Sequence, residues 1–210
     1  SPLPPWTMNI GFVSTRFSGT DGVSLESQKW ADALERLGHK CFWFSGLSDR
    51  LPKCSMVVPE AFFEHPTIRM INNAVWNVDA IPTSIVESIE EISKYLEANI
   101  NDFCRRFEID LLISQNALTI PMNLPLGLAL TNHIESSGIP TVAHHHDFYW
   151  ERRRFTGNGV LPYLEKAFPP SLDSITHVVI NSEAGRQLDD RLKLSSVSYT
   201  HLRAHETSID

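Results

Sequence analysis

The chain has 210 residues, 42% of them hydrophobic and 20% charged, with a formal net charge of −7 at pH 7. That length buries roughly 70% of the unfolded surface in one large domain or two small ones, and the acidic balance argues against a nucleic-acid surface, which normally leaves a basic patch. No run approaches the ~20 apolar residues of a membrane span, and the opening SPLPPWT does not have the apolar centre of a signal peptide.

Taken in chain order, Asn9–Ser14 (NIGFVS) fits a buried first strand and residues 15–22 (TRFSGTDG) a polar loop with two glycines. Residues 23–37 follow with helical period, placing Val23, Trp30, Ala33, Leu34 and Leu37 broadly on one face, and Gly38 ends the helix as a left-handed cap would. Residues 40–45 (KCFWFS) read as a second strand, completing the βαβ unit of a parallel sheet. Residues 47–77 are expected to be irregular, because Pro52, Pro59 and Pro66 interrupt any long element, though Phe62, Phe63 and Trp76 should pack down. A long helix is predicted over 85–107, a strand over 110–114 with Gln115 and Asn116 at its polar exit, and a helix over 124–137 capped by Gly138. The next strand runs into HHHD; 176–180 is a further strand, and Asn181–Ser182 cap a last helix to about Leu194. About five parallel strands alternating with helices predict an α/β, Rossmann-like, doubly wound sheet.

Cys41, Cys54 and Cys104 are odd in number and lack metal-ligand spacing, so reduced thiols in the cytoplasm, peripheral to a membrane if attached to one, are expected. Residues 1–7 read as a non-native leader before Met8, and residues 195–210 as an artefactual or disordered tail, since VSYTHLRAHET has no strand or helix period and resembles a translated sequencing adapter. The expected domain therefore spans 8–194.

The most informative stretch is residues 141–150, TVAHHHDFYW, a strand opening into a histidine-dense turn. In open α/β sheets the carboxyl ends of strands are where ligands bind. Strand alternation sends His144 and His146 to one side and His145 to the other. A metal site, histidines simply hydrogen-bonded at the strand end, and a histidine contacting a substrate hydroxyl or phosphate are three readings. The metallo-hydrolase pattern H-x-H-x-D-H is not met, because Phe148 stands where Asp is required. The loop GTDGVS allows backbone N–H groups to meet an anion at a helix N-terminus, yet neither G-x-G-x-x-G nor a P-loop is present, and Asp21 reads also as a simple helix N-cap. Arg152 or Arg154 could pair with an anionic acceptor.

As a set, MNIGFVSTRFSGTDGVSLESQKWADALERLGHK, HHHDFYWERRRF and THVVINSEAGRQLDDRL resemble the N-terminal half of a GT-B glycosyltransferase of retaining family four, over residues 8–194. The resemblance implies two Rossmann-like domains facing a cleft, this one on the acceptor side and the absent C-terminal one holding the nucleotide sugar. It implies that His146 or His144 is the active-site histidine, and that Gly19, Thr20 and Gly22 lie at the donor phosphates. Asp147, Tyr149, Arg152 and Asn116 are the expected acceptor-binding residues. Transfer with retention is implied, with no metal and no cofactor beyond the nucleotide-sugar substrate, and with a fragment of this length inactive alone. GTDGVS and HHHDFYWER further resemble enzymes that build glucosylglycerate-type compatible solutes. The competing expectation is a stand-alone Rossmann-like module that binds a phosphorylated ligand without chemistry.

Overall fold

The chain opens with strand β1 (Asn9–Val13), a two-residue strand β2 (Arg16–Phe17) and helix α1 (Gly22–Arg36). Then come β3 (Lys40–Ser45), β4 (Leu47–Ser48), β5 (Ser55–Val57), α2 (Pro66–Val75) and α3 (Thr83–Arg106). The remainder is β6 (Leu111–Gln115), α4 (Leu124–Ser137), β7 (Thr141–His145), α5 (Leu161–Ala167), β8 (Ile175–Val179), α6 (Ser182–Leu192) and β9 (Ser196–Ser198). These elements belong to a computed structural model that describes residues 4–199; the expectations for 1–3 and 200–210 lie outside the described residues.

Seven strands form one sheet in the order β5-β3-β1-β6-β7-β8-β9, every neighbouring pair parallel. Strand order runs outward from β1 through β3 to β5, then returns to β6 on the other side of β1. The topological switch point therefore lies between β1 and β6, where the following loops diverge and leave a crevice.

Alternating side chains give the sheet two apolar faces. On one, Ile10, Phe12, Trp43 and Ile113 pack with Ala31, Trp30 and Leu34 of α1. On the other, Val13, Phe44, Leu112 and Ala143 meet Leu96, Ile100 and Phe103 of α3 and Leu126, Ala129 and Leu130 of α4. Gly11 belongs to this second face, and a Cβ there would lie 2.7 Å from the Phe103 ring, so α3 approaches as closely as it does only over a glycine.

Several elements depart from the expectations above. The sheet has seven strands rather than about five, because three-residue strands β5 and β9 occupy its edges. Residues 47–77 contain helix α2, whose Pro66 sits in the first turn, where a missing N–H breaks nothing. Helix α1 buries Ser24, Glu26, Ser27 and Ala31, while Leu37 is 61% exposed. The fully buried positions of α1 are thus mostly small, and Trp30 and Leu34 pack half-buried beside them. After the histidine turn, Tyr149–Glu151 form a 3-10 turn, and an α-helix follows ten residues later as α5. Ser196–Ser198 pair with His177–Val179 as a strand, within the stretch expected to be tail.

Candidate functional site

A cavity of about 210 Å³ opens at the switch point. Ser14, Thr15 and Arg16 line it beyond β1, Asp21 and Val23 from the start of α1, and Phe63 from the segment after β5. Gln115, Asn116, Ala117, Ile120 and Met122 close it beyond β6, and Arg152 completes the rim. The sheet creates this crevice and the sequence lines it with polar groups, which is the arrangement expected of a binding site rather than of core.

The residues after β6 and β7 are tied together. Parallel register sets Gln115 beside His144. The Gln115 side-chain Oε1 accepts from His144 Nδ1 at 2.9 Å and from His146 Nε2 at 3.0 Å. Asn116, in a left-handed conformation at φ 63°, accepts the His146 backbone N–H on its Oδ1 at 3.1 Å and donates to Asp147 Oδ1 at 3.3 Å. Asp147 Oδ2 in turn accepts from Arg152 Nε and Nη2 at 2.9 and 2.5 Å. Asn116, Asp147 and Arg152 thus form a clamp that holds the histidine turn against the end of β6.

The three histidines separate as alternation requires. His144 and His146 lie on one side with ring centroids 4.4 Å apart, and His144 also stacks on Trp30 of α1 at 4.4 Å. His145 points the other way into a buried polar chain: its Nδ1 meets the Thr119 hydroxyl and its Nε2 lies 2.8 Å from His177 Nδ1. Burial pushes His145 well below the usual imidazole range, with repulsion from His177, His144 and His146 adding to it. Burial also takes His177 down to about 4, opposed by a hydrogen bond to the Pro170 carbonyl. Both imidazoles are therefore neutral at pH 7, and they serve the interior.

The expected site residues divide accordingly. Asn116 and Arg152 line the cavity, and His144, His146 and Asp147 are bonded to its wall. Tyr149 lines a neighbouring cavity of about 580 Å³, with Trp150, Phe155 and Leu164, which Arg152 also borders. In the glycine loop, Asp21 and Val23 line the central cavity while Gly19, Thr20 and Gly22 stand apart from its lining. Asp21 is the N-cap of α1, accepting from Ser24 N–H at 3.1 Å, and the Gly19 N–H donates to Asp49 Oδ2 at 3.0 Å. Two carboxylates thus already occupy this loop. Among the described residues no three His, Cys, Asp or Glu side chains converge as metal ligands, and no helix is long and apolar enough to cross a membrane. The three cysteines are free thiols.

Sequence reasoning passed over Ser14, Arg16 and Phe63. The first two follow directly from where β1 ends, since residues just past the strand at a switch point face the crevice. Phe63 arrives through the turns after β5, which no local pattern announced.

Two curated proteins align with this chain. The mannosylglucosylglycerate synthase of Petrotoga mobilis is 31% identical over 194 residues, and that of Thermotoga maritima 31% over 199 residues. Each alignment takes in 90% of this chain and 44% of the relative, so the chain spans less than half the length of the curated relatives it matches. Its homologues are glycosyltransferases. No family model matches the chain, and no solved structure matches it.

Proposed function

We propose that this chain is the acceptor-side, Rossmann-like half of a GT-B glycosyltransferase, one that moves a sugar from a nucleotide-sugar donor to a hydroxyl of a small acceptor with retention of configuration. The observation that carries the reading is 31% identity to two glycosyltransferases across 90% of this chain. The polar cavity at the switch point supports it independently. The relatives are named for a mannosylglucosylglycerate product, which supports glucosylglycerate, a glycoside bearing a carboxylate, as the acceptor and mannose as the transferred sugar. Arg16 on the cavity rim suits such an acceptor, because a guanidinium pairs with a carboxylate through two parallel hydrogen bonds, and Arg152, whose Nε and Nη2 hold Asp147, adds positive charge beside it.

In this reading the cavity holds the acceptor, and the nucleotide sugar enters from the portion of the relatives that the chain does not span. The leaving diphosphate carries the developing charge, which preorganised N–H donors stabilise. In this reading His146, half-buried and bonded to Gln115 of the cavity wall, contacts the donor sugar, with His144 behind it.

The test is an assay of the complete gene product with nucleotide-activated mannose and glucosylglycerate, reading product and anomeric configuration by NMR. His146→Ala is expected to lower kcat by roughly 10²-fold, the scale of one preorganised hydrogen bond, and His144→Ala to lower it as well. Full activity in both variants would remove the histidines from the site. Absence of transfer with any nucleotide sugar, together with binding of a phosphorylated ligand, would replace the enzyme reading by that of a binding module.

A further inference from the structure

Gln115 is the last residue of β6, fully buried, and forms part of the cavity lining. Its backbone is held as firmly as its side chain, because Ser14 Oγ donates to the Gln115 carbonyl at 2.9 Å across the β1–β6 switch point. The side-chain oxygen accepts from both His144 and His146, as described above. An amide oxygen has two lone pairs and no proton, so each imidazole nitrogen facing it must carry hydrogen: Nδ1–H on His144 and Nε2–H on His146. The amide nitrogen, by contrast, is buried without a hydrogen-bond partner among the described residues. An unpaired buried N–H group costs free energy that native proteins rarely leave uncompensated. Here it sits on the residue that separates a polar cavity from two histidines.

We propose that Gln115 binds the acceptor: its Nε2 donates to an acceptor hydroxyl seated in the cavity, while its Oε1 takes the Nδ1–H of His144 and the Nε2–H of His146 and so sets the other ring nitrogen of each as an acceptor. This rests on the glycosyl-transfer reading, which puts the acceptor on this half of the protein. An uncharged amide matches a neutral hydroxyl, whereas the acceptor's carboxylate would be left to the guanidinium groups at the rim. Gln115 joins the two halves of the site, since whatever seats the acceptor also sets the protons of the histidines behind it.

Two variants of the complete protein separate these roles. Q115M keeps the volume and removes both polar functions. Q115E keeps an oxygen that can accept from both histidines but has no N–H. Both are expected to raise the acceptor KM roughly tenfold, the scale of one lost hydrogen bond, with the nucleotide-sugar KM unchanged. A merely structural role would let Q115E restore the wild-type acceptor KM, and that result overturns the proposal. So does a rise confined to the nucleotide-sugar KM. Long-range ¹H–¹⁵N spectra of the histidines give a second readout without turnover, with neutral His144 expected as the Nδ1–H tautomer and His146 as Nε2–H. The opposite tautomers would show that Oε1 is not their acceptor. A complete wild-type protein that transfers no sugar would sink the glycosyl-transfer reading and the acceptor contact together, while the tautomers would still decide the positioning role.

Discussion

His144 and His146 leave β7 on one face and His145 on the other, and the three imidazoles end in different surroundings. On the cavity side the partner is Gln115, a polar side chain at the end of β6 that both rings share. On the inner side the partners are Thr119 and His177, buried with His145 in a chain of neutral hydrogen bonds. The residue type is the same, and the neighbouring strand assigns the role. A run of histidines is thus a weak indicator of chemistry until the register of the adjacent strands is known.

The contrast is most easily broken through stability. His145→Ala should cost about 3 kcal/mol, because it opens a hole and takes their partner from the Thr119 hydroxyl and from His177 Nδ1 in the interior. His146→Ala, at a half-buried position, should cost about 1 kcal/mol or less. Urea unfolding of the two variants side by side checks this. Equal losses would mean that the two faces do not differ in the way the burial indicates.

Acid should act on the inner face too. His177 titrates at about 4 in the fold and near its ordinary 6.5 when unfolded, so its folded pKa is depressed. The unfolded state then binds the proton first, and stability is full above about pH 6.5 and declines as pH falls toward 4. Between pH 6 and 5 the wild type should lose about 1.2 kcal/mol more than His177→Gln, most of the contribution of one proton over one pH unit. Parallel pH slopes for the two proteins would show that His177 is not held neutral by the fold.

Much of this architecture is legible in the sequence because it is local. Helix α4 begins and ends at the residues its period and caps indicate, and Asp21, Gly138 and Asn181 cap as their types suggest. Strand alternation alone separates His145 from its neighbours. Edge strands β5 and β9 are too short for a period to register, and their pairing depends on partners 12 to 19 residues away in the chain. Pro66 looks like a breaker until a helix is seen to start there. Gln115 stood at a visible strand exit, but its contact with two histidines 29 and 31 residues away is a property of register, which no single segment encodes.

The smallest expected effect lies on the cavity side, in the clamp between Asp147 and Arg152. Their side chains are 30% and 39% exposed, so water screens the pair and its net contribution should be about 0.5 kcal/mol. Asp147→Asn removes the charge and keeps one amide oxygen, which can accept from Arg152 or from Asn116 but not from both. Its unfolding free energy should fall by about that amount at low ionic strength and approach the wild-type value in 1 M salt, where the Debye length is about 3 Å. A loss above about 2 kcal/mol that salt does not reduce would identify the clamp as a buried network like the one around His145, and the two faces of β7 would then be held by the same kind of interaction.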